Sequence, residues 1–225
     1  MNASNSTRHK LVVAVDGPSG SGKSSVSREA AKKLDFNFLD TGAMYRMITL
    51  YLLRSNVHNE LDIQKILDKN EIDLSISINP LEILFQIKGE DVSKEIRSEE
   101  ITKNVSFYAS LPEVRNFLVQ KQRDLINDSN KSIVIEGRDI GSVVVPDADV
   151  KIFITASEEI RAQRRAKEIN SDVKKVLTEQ KIRDEKDSNR KISPLLKPND
   201  SKELDTSSLS FDQSVNKFIE IVKNV

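Results

Sequence analysis

The chain has 225 residues, 37% hydrophobic and 31% charged, with 35 lysines and arginines against 35 aspartates and glutamates. That suits one globular core with room for a small insertion, and the balanced charge supplies no overall field toward nucleic acid or a membrane. The absence of cysteine excludes disulfides, thiolate metal sites and cysteine nucleophiles; no apolar stretch nears the ~18 residues of a membrane span, so a cytoplasmic protein without membrane or nucleic-acid partners is expected.

Residues 1–10 open the chain as a polar, flexible tail that lacks the apolar centre of a signal peptide. His9 in that tail and His58 in a polar loop stand far apart, which argues against a histidine metal site. Leu11-Val12-Val13-Ala14-Val15 is a continuous apolar run and predicts a buried strand. Gly17-Pro18-Ser19-Gly20-Ser21-Gly22-Lys23-Ser24 follows it, at the start of a helix predicted over 23–34. This is GxxxxGK[ST] in the strand–loop–helix context that a phosphate-binding loop requires. Its glycines let backbone N–H groups turn toward an anion, and the helix brings its positive end to the same place. Lys23 can reach the β- and γ-phosphates and the Ser24 hydroxyl can ligate Mg²⁺, so a nucleoside triphosphate is the expected ligand.

A short apolar run over 36–39 predicts a second parallel strand, with a helix over about 43–54 behind it. From 61 to 102 the pattern changes. After a short helix over 61–67, Leu74, Ile76 and Ile78 alternate with polar residues, as do Ile83, Phe85 and Ile87 beyond Asn79-Pro80. Period two marks a half-exposed antiparallel hairpin, which has no place in a parallel sheet covered on both faces. Residues 62–104 are therefore expected to be an inserted subdomain, with 11–61 and 105–225 forming the core. Helical patterning returns over 105–127, interrupted near Leu111-Pro112, and strands are predicted over 132–136 and 150–154. A long charged helical region covers 157–190, a last short strand begins at Leu204, and a helix over 211–222 closes the chain. Strands alternating with helices predict a three-layer α/β fold around a parallel sheet.

Three further groups carry chemistry. Asp40-Thr41-Gly42-Ala43-Met44-Tyr45-Arg46 lies at the C-terminal end of a strand, where open α/β sheets place ligands. It supplies an acceptor, a hydroxyl, an aromatic face and a guanidinium suited to phosphate; equally, Asp40 or Thr41 can simply cap an ordinary helix. Glu136-Gly137-Arg138-Asp139-Ile140-Gly141 follows a hydrophobic strand, the Walker B arrangement, which makes Glu136 a candidate for holding Mg²⁺. Arg161, Arg164 and Arg165 share one helix face, as do Arg183, Asp187 and Arg190. Such faces are either solvated or built to clamp a polyphosphate.

Taken together with Pro146-Asp147-Ala148, the stretch Arg183-Asp184-Glu185-Lys186-Asp187-Ser188-Asn189-Arg190, and Gly89-Glu90-Asp91-Val92-Ser93 through Glu95-Ile96-Arg97, these blocks make the chain resemble bacterial cytidylate kinase from about residue 11 to its end. The resemblance implies a P-loop nucleoside triphosphatase fold with an inserted antiparallel β subdomain for the monophosphate, and transfer of a phosphoryl group from MgATP to CMP or dCMP by a monomer. It implies donor binding by residues 17–24 and Ser25. It implies acceptor binding by Asp40, Thr41, Tyr45, Arg46, Ser106, Arg115, Arg138, Asp139, Arg183, Asp187 and Arg190, with Asp187 accepting from ribose hydroxyls. Lys23, Arg138, Arg161, Arg165 and Arg183 would carry catalysis, with the Arg161 group closing as a lid, and Ser24 and Glu136 would hold Mg²⁺. The chain departs from many relatives in carrying Ser24-Ser25 where they have Gly-Thr, which leaves open which hydroxyl meets the metal, and Glu136 stands where some have aspartate. Other small-molecule kinases, a switch-type GTPase and a regulatory nucleotide-binding protein are the alternatives. A GTPase would need an Asn-Lys-x-Asp motif, and Asn130-Lys131-Ser132-Ile133 fails it at the last position.

Overall fold

The structure, a computed structural model, describes residues 10–57, 59–69, 72–82, 84–190 and 192–225. The tail before Lys10, together with His9, His58 and Ile83, lies outside the described residues. The chain runs through β1 (Val12–Asp16), α1 (Lys23–Leu34), β2 (Asn37–Asp40), α2 (Thr41–Arg54) and α3 (Glu60–Asp68). It then enters β3 (Leu74–Ile76), β4 (Phe85–Ile87), β5 (Glu90–Asp91) and a 3₁₀ turn, Glu95–Arg97. After α4 (Glu99–Tyr108) and α5 (Pro112–Asn127) it returns to the centre as β6 (Ile133–Glu136), a π turn over Ile140–Val144, and β7 (Val150–Thr155). Two charged helices, α6 (Glu158–Ile169) and α7 (Val173–Ser188), precede β8 (Lys202–Asp205) and α8 (Phe211–Lys223).

Five strands form one parallel sheet in the order β2-β6-β1-β7-β8. Its three-layer build follows from the strands' own residues. Ala14, Leu39, Ile133 and Ile135 face one core with α2, α3 and α5, while Val13, Val15, Phe38 and Val134 face the other with α1 and α8. Successive residues point to opposite faces of a strand, so a strand apolar at every position must be covered on both sides. The order also places β1 in the middle, between β6 and β7. Register then brings Glu136 level with both Val15 and Asp40 at the C-terminal edge, where the crevice of such a sheet opens.

The inserted antiparallel element is a three-stranded sheet in the order β3-β4-β5, one short strand more than the expected hairpin. Phe85, Ile87, Val92 and Ile96 bury themselves against Ala43, Met47 and Leu50 of α2. The helix that carries Arg46 is therefore the floor of this sheet. The expected seam at residue 104 falls inside α4, whose Ile101 packs with the small sheet while Val105 packs with the main core. The charged region also differs from the single run expected. It divides at Asn170, a left-handed residue (φ 51°) that ends α6 and lets α7 fold back along it. Short asparagine side chains tolerate that conformation.

Candidate active site

The phosphate-binding loop joins β1 to α1, and its conformation is imposed from below. Gly17 has φ 149°, and a Cβ there would lie 2.0 Å from the carbonyl oxygen of Ile154 on β7. Only glycine fits between the two strands. Gly22 caps α1 in the left-handed region at φ 84°. Asp16 ties the base of the loop to the π turn, accepting from the N–H groups of Ile140 and Gly141 at 2.8 Å each. Burial pushes its carboxyl up to about 6, against the opposing pull of those two donors. On the far side, Arg161 donates to the carbonyl of Ser19 at 2.9 Å and ion-pairs with Asp184, whose other oxygen accepts from the Ser19 N–H at 3.2 Å. The Thr206 hydroxyl donates to the Ser21 carbonyl, and Arg164 holds Thr206 in place. The loop is braced at three points before any anion arrives.

Lys23 and Glu136 are both nearly buried, with Nζ 3.9 Å from the carboxylate and 3.2 Å from the Pro18 carbonyl. Burial drives the lysine's proton affinity down, helped by Arg138, and drives the glutamate's up, helped by Asp40. Each group is held as an ion chiefly by the other. The Ser24 hydroxyl donates to Glu136 Oε1 at 2.7 Å, whereas Ser25 turns back to the Gly22 carbonyl at 3.0 Å. Among the described residues no group of three or more carboxylate, imidazole or thiol side chains could hold a metal. A hydroxyl and one carboxylate fit Mg²⁺, which keeps waters and phosphate oxygens as its other ligands.

A cavity of about 540 Å³ spans the loop and extends to Asp40, Arg46, Glu136, Arg138 and Arg183. A smaller one, about 80 Å³, shares Arg46, Arg138 and Arg183 with it and adds Thr41, Tyr45, Ser106, Arg115, Asp139, Asp187 and Arg190. All the expected acceptor residues thus converge. Arg46, on α2, is aimed by the Ile96 carbonyl and the Thr102 hydroxyl of the inserted segment, each at 3.0 Å. Arg115 is buried under the smaller cavity, paired with Asp139 and stacked 5.5 Å from the Tyr45 ring centre. Arg183 is so enclosed, with Arg138 beside it, that its pKa falls to about 10.

Several of these residues also have partners within the protein. Arg161 lines neither cavity; it is 5% exposed and committed to the Ser19 and Ala156 carbonyls, so it supports the loop from beneath. Arg164 and Arg165 line the larger cavity, Arg164 bonded to Thr206 and Arg165 in an exposed pair with Glu168. Asp187, expected as a ribose acceptor, places one oxygen on Arg138 and the other on Arg190. Thr41 donates to the Glu136 carbonyl at 2.8 Å and so fastens α2 to β6, while Asp40 caps α2 by accepting from the Ala43 N–H. The structure also brings in residues to which the sequence reading gave no role. Arg97 of the 3₁₀ turn, and Leu209 and Phe211 before and in α8, line the larger cavity.

The buried Arg115–Asp139 pair has a direct test. Removing one partner of such a pair strands the other's charge. Asp139→Ala is expected to lower the unfolding free energy by about 3–5 kcal/mol in urea titrations; a loss under about 1 kcal/mol would mean that Arg115 finds water without it.

Comparison with known proteins fits this geometry. A family model described as cytidylate kinase matches residues 13–224. The chain belongs to the cytidylate kinase family. A cytidylate kinase of Rhodococcus jostii (strain RHA1) is 48% identical over 219 residues, covering 95% of each chain. One from Fervidobacterium nodosum (strain ATCC 35602 / DSM 5306 / Rt17-B1) is 45% identical, covering 94% of this chain and 95% of its own. An uncharacterized protein of Eubacterium ventriosum ATCC 27560, 13% identical, aligns over 96% of this chain and 100% of its own with a TM-score of 0.54, a likeness of fold alone. The family is one of ATP-dependent nucleoside monophosphate kinases, which agrees with a loop for a triphosphate beside an arginine-lined cavity.

Proposed function

We propose that the protein transfers the γ-phosphoryl group of ATP to CMP or dCMP, giving ADP and CDP or dCDP, as a cytoplasmic monomer. The observation that carries this reading is the shared wall of the two cavities, where Arg46, Arg138 and Arg183 face the loop on one side and the Tyr45–Ser106 pocket on the other. Phosphoryl transfer needs in-line positioning and neutralisation of spreading negative charge rather than covalent help. Lys23 and the loop amides hold the donor. The triphosphate's charge also secures the proton on Lys23 that burial loosens. Arg46, Arg138 and Arg183 hold the acceptor phosphate between the two sites, with Asp187 and Asp139 fixing Arg138, Arg190 and Arg115 in place. The small sheet, riding on α2, is the part that closes over the monophosphate.

Ser24 and Glu136 are the residues that would hold Mg²⁺, because they already meet each other while Ser25 is turned away. When bound, the ion supplies charge neutralisation across the transferring phosphates. No general base is required: the acceptor is a phosphate oxygen, ionised near pH 7. Closure must exclude water, or ATP would be hydrolysed.

The test is a coupled assay of ADP release from ATP against CMP, dCMP, UMP, dTMP and no acceptor. CMP and dCMP are expected to give the highest kcat/KM. Preference for another monophosphate, or release without acceptor, would overturn the reading.

A further inference from the structure

The larger cavity has an end that phosphate chemistry does not explain. Besides the loop and the acceptor arginines, its lining includes Leu209 and Phe211 together with Arg164 of α6, whose guanidinium lies beside Gly22 of the loop. Phe211 is 49% exposed. With Leu209 it gives the donor cavity an apolar, half-exposed surface on which the flat face of a base can be buried. The backbone that carries the ring is held firmly. Phe211 is the first residue of α8, fixed by a capping box between Ser210 and Gln213, and the preceding Thr206 is hydrogen-bonded to the loop at Ser21. The platform therefore keeps a set distance from the phosphate site.

Polar side chains of the lining have partners within the protein. Arg164 is bound to Thr206, Arg165 to Glu168, and Ser214 to the Ser210 carbonyl. Half-exposed in the lining, Phe211 offers a base a stacking contact rather than a hydrogen-bonding one. Building on the kinase reading above, we infer that Phe211 is the residue that selects the phosphoryl donor, by stacking on its base and so favouring a large ring system over a small one without distinguishing its edge groups. ATP and GTP are then used with similar kcat/KM, and CTP and UTP less well as donors. Phe211 is a specificity-determining residue remote from the reacting phosphates, so its loss acts on donor KM.

The chain contains no tryptophan, so Phe211→Trp places a single indole at the platform. Titration with ATP and GTP is expected to quench its fluorescence, and titration with Mg²⁺-tripolyphosphate, which fills the loop without a base, is expected to leave it unchanged. In parallel, Phe211→Ala is expected to raise the KM for ATP about tenfold, within the range for one stacked base, with the KM for CMP and kcat within about twofold. Equal quenching by tripolyphosphate, no quenching by ATP in a variant that turns over, or strong preference for ATP over GTP in the unaltered protein would overturn the assignment. Because the unaltered protein's turnover with CMP is measured alongside, failure of the donor assignment is distinguishable from failure of the kinase reading.

Discussion

Replacing Lys23 by alanine is expected to lower kcat with ATP and CMP by about a thousandfold or more, the upper range for losing one preorganised electrostatic group, while the protein remains folded. The activity loss follows from placement. Lys23 is the one ammonium within the loop, and it stands between Glu136 and the Pro18 carbonyl where a triphosphate must lie. That the fold survives is less obvious, because Lys23 and Glu136 are a buried pair and breaking such pairs is usually costly. Here the remaining partner has a way out. Burial and Asp40 already raise the proton affinity of Glu136, so without the lysine it takes up a proton and still accepts from Ser24. Its penalty is thereby capped near the cost of protonation. The check is a thermal unfolding midpoint and far-ultraviolet circular dichroism beside the coupled assay; wild-type turnover in Lys23→Ala would sink the donor-site assignment.

What the sequence made legible, and what it did not, divides along the range of the interactions. The loop was readable because its requirements are local: glycines where the backbone turns, and a lysine and hydroxyl at the helix start. The centre of the parallel sheet was readable because its strands, buried on both faces, are largely apolar, whereas in β8 only Leu204 is apolar; the inserted sheet was readable because its strands alternate. The strand Glu90–Asp91 escaped notice because two exposed acidic residues carry no period, and its pairing with Phe85–Ile87 is a tertiary fact. The arginines were legible as a set but not in their division of labour. Spacing put Arg161, Arg164 and Arg165 on one face, yet it held no information on which carbonyls would approach that face. Only the fold brings Ser19 and Thr206 to α6. Asp184 was quoted within a larger block and given no role, for the same reason. Phe211 was read only as the start of the closing helix, and its exposure depends on where α8 meets the loop.

Arg138→Ala provides the sharpest separation of the two half-sites. Arg138 follows β6 directly, lines both cavities, and is the one guanidinium of the shared wall that the structure orders through a buried carboxylate, its Nε lying 3.1 Å from Asp187. Truncation has two consequences on the acceptor side. It removes a cation aimed at the acceptor phosphate, and it leaves Asp187, 1% exposed, with Arg190 as its remaining ion-pair partner. Arg190 is then drawn more tightly to Asp187 and away from the monophosphate. On the donor side the loop keeps its braces from Asp16, Arg161 and Thr206, none of which touches Arg138. The expected result is a fall of about a hundredfold in kcat/KM for CMP, of the size seen when one oriented donor is lost from a reacting oxyanion, with ATP affinity changed less than threefold in equilibrium binding. Arg138→Lys should recover little, because a lysine ammonium lacks the fork that meets Asp187 and a phosphate together. Equal losses for ATP and CMP would place Arg138 on the donor and would require the acceptor phosphate to lie deeper, toward Arg115 and Arg190.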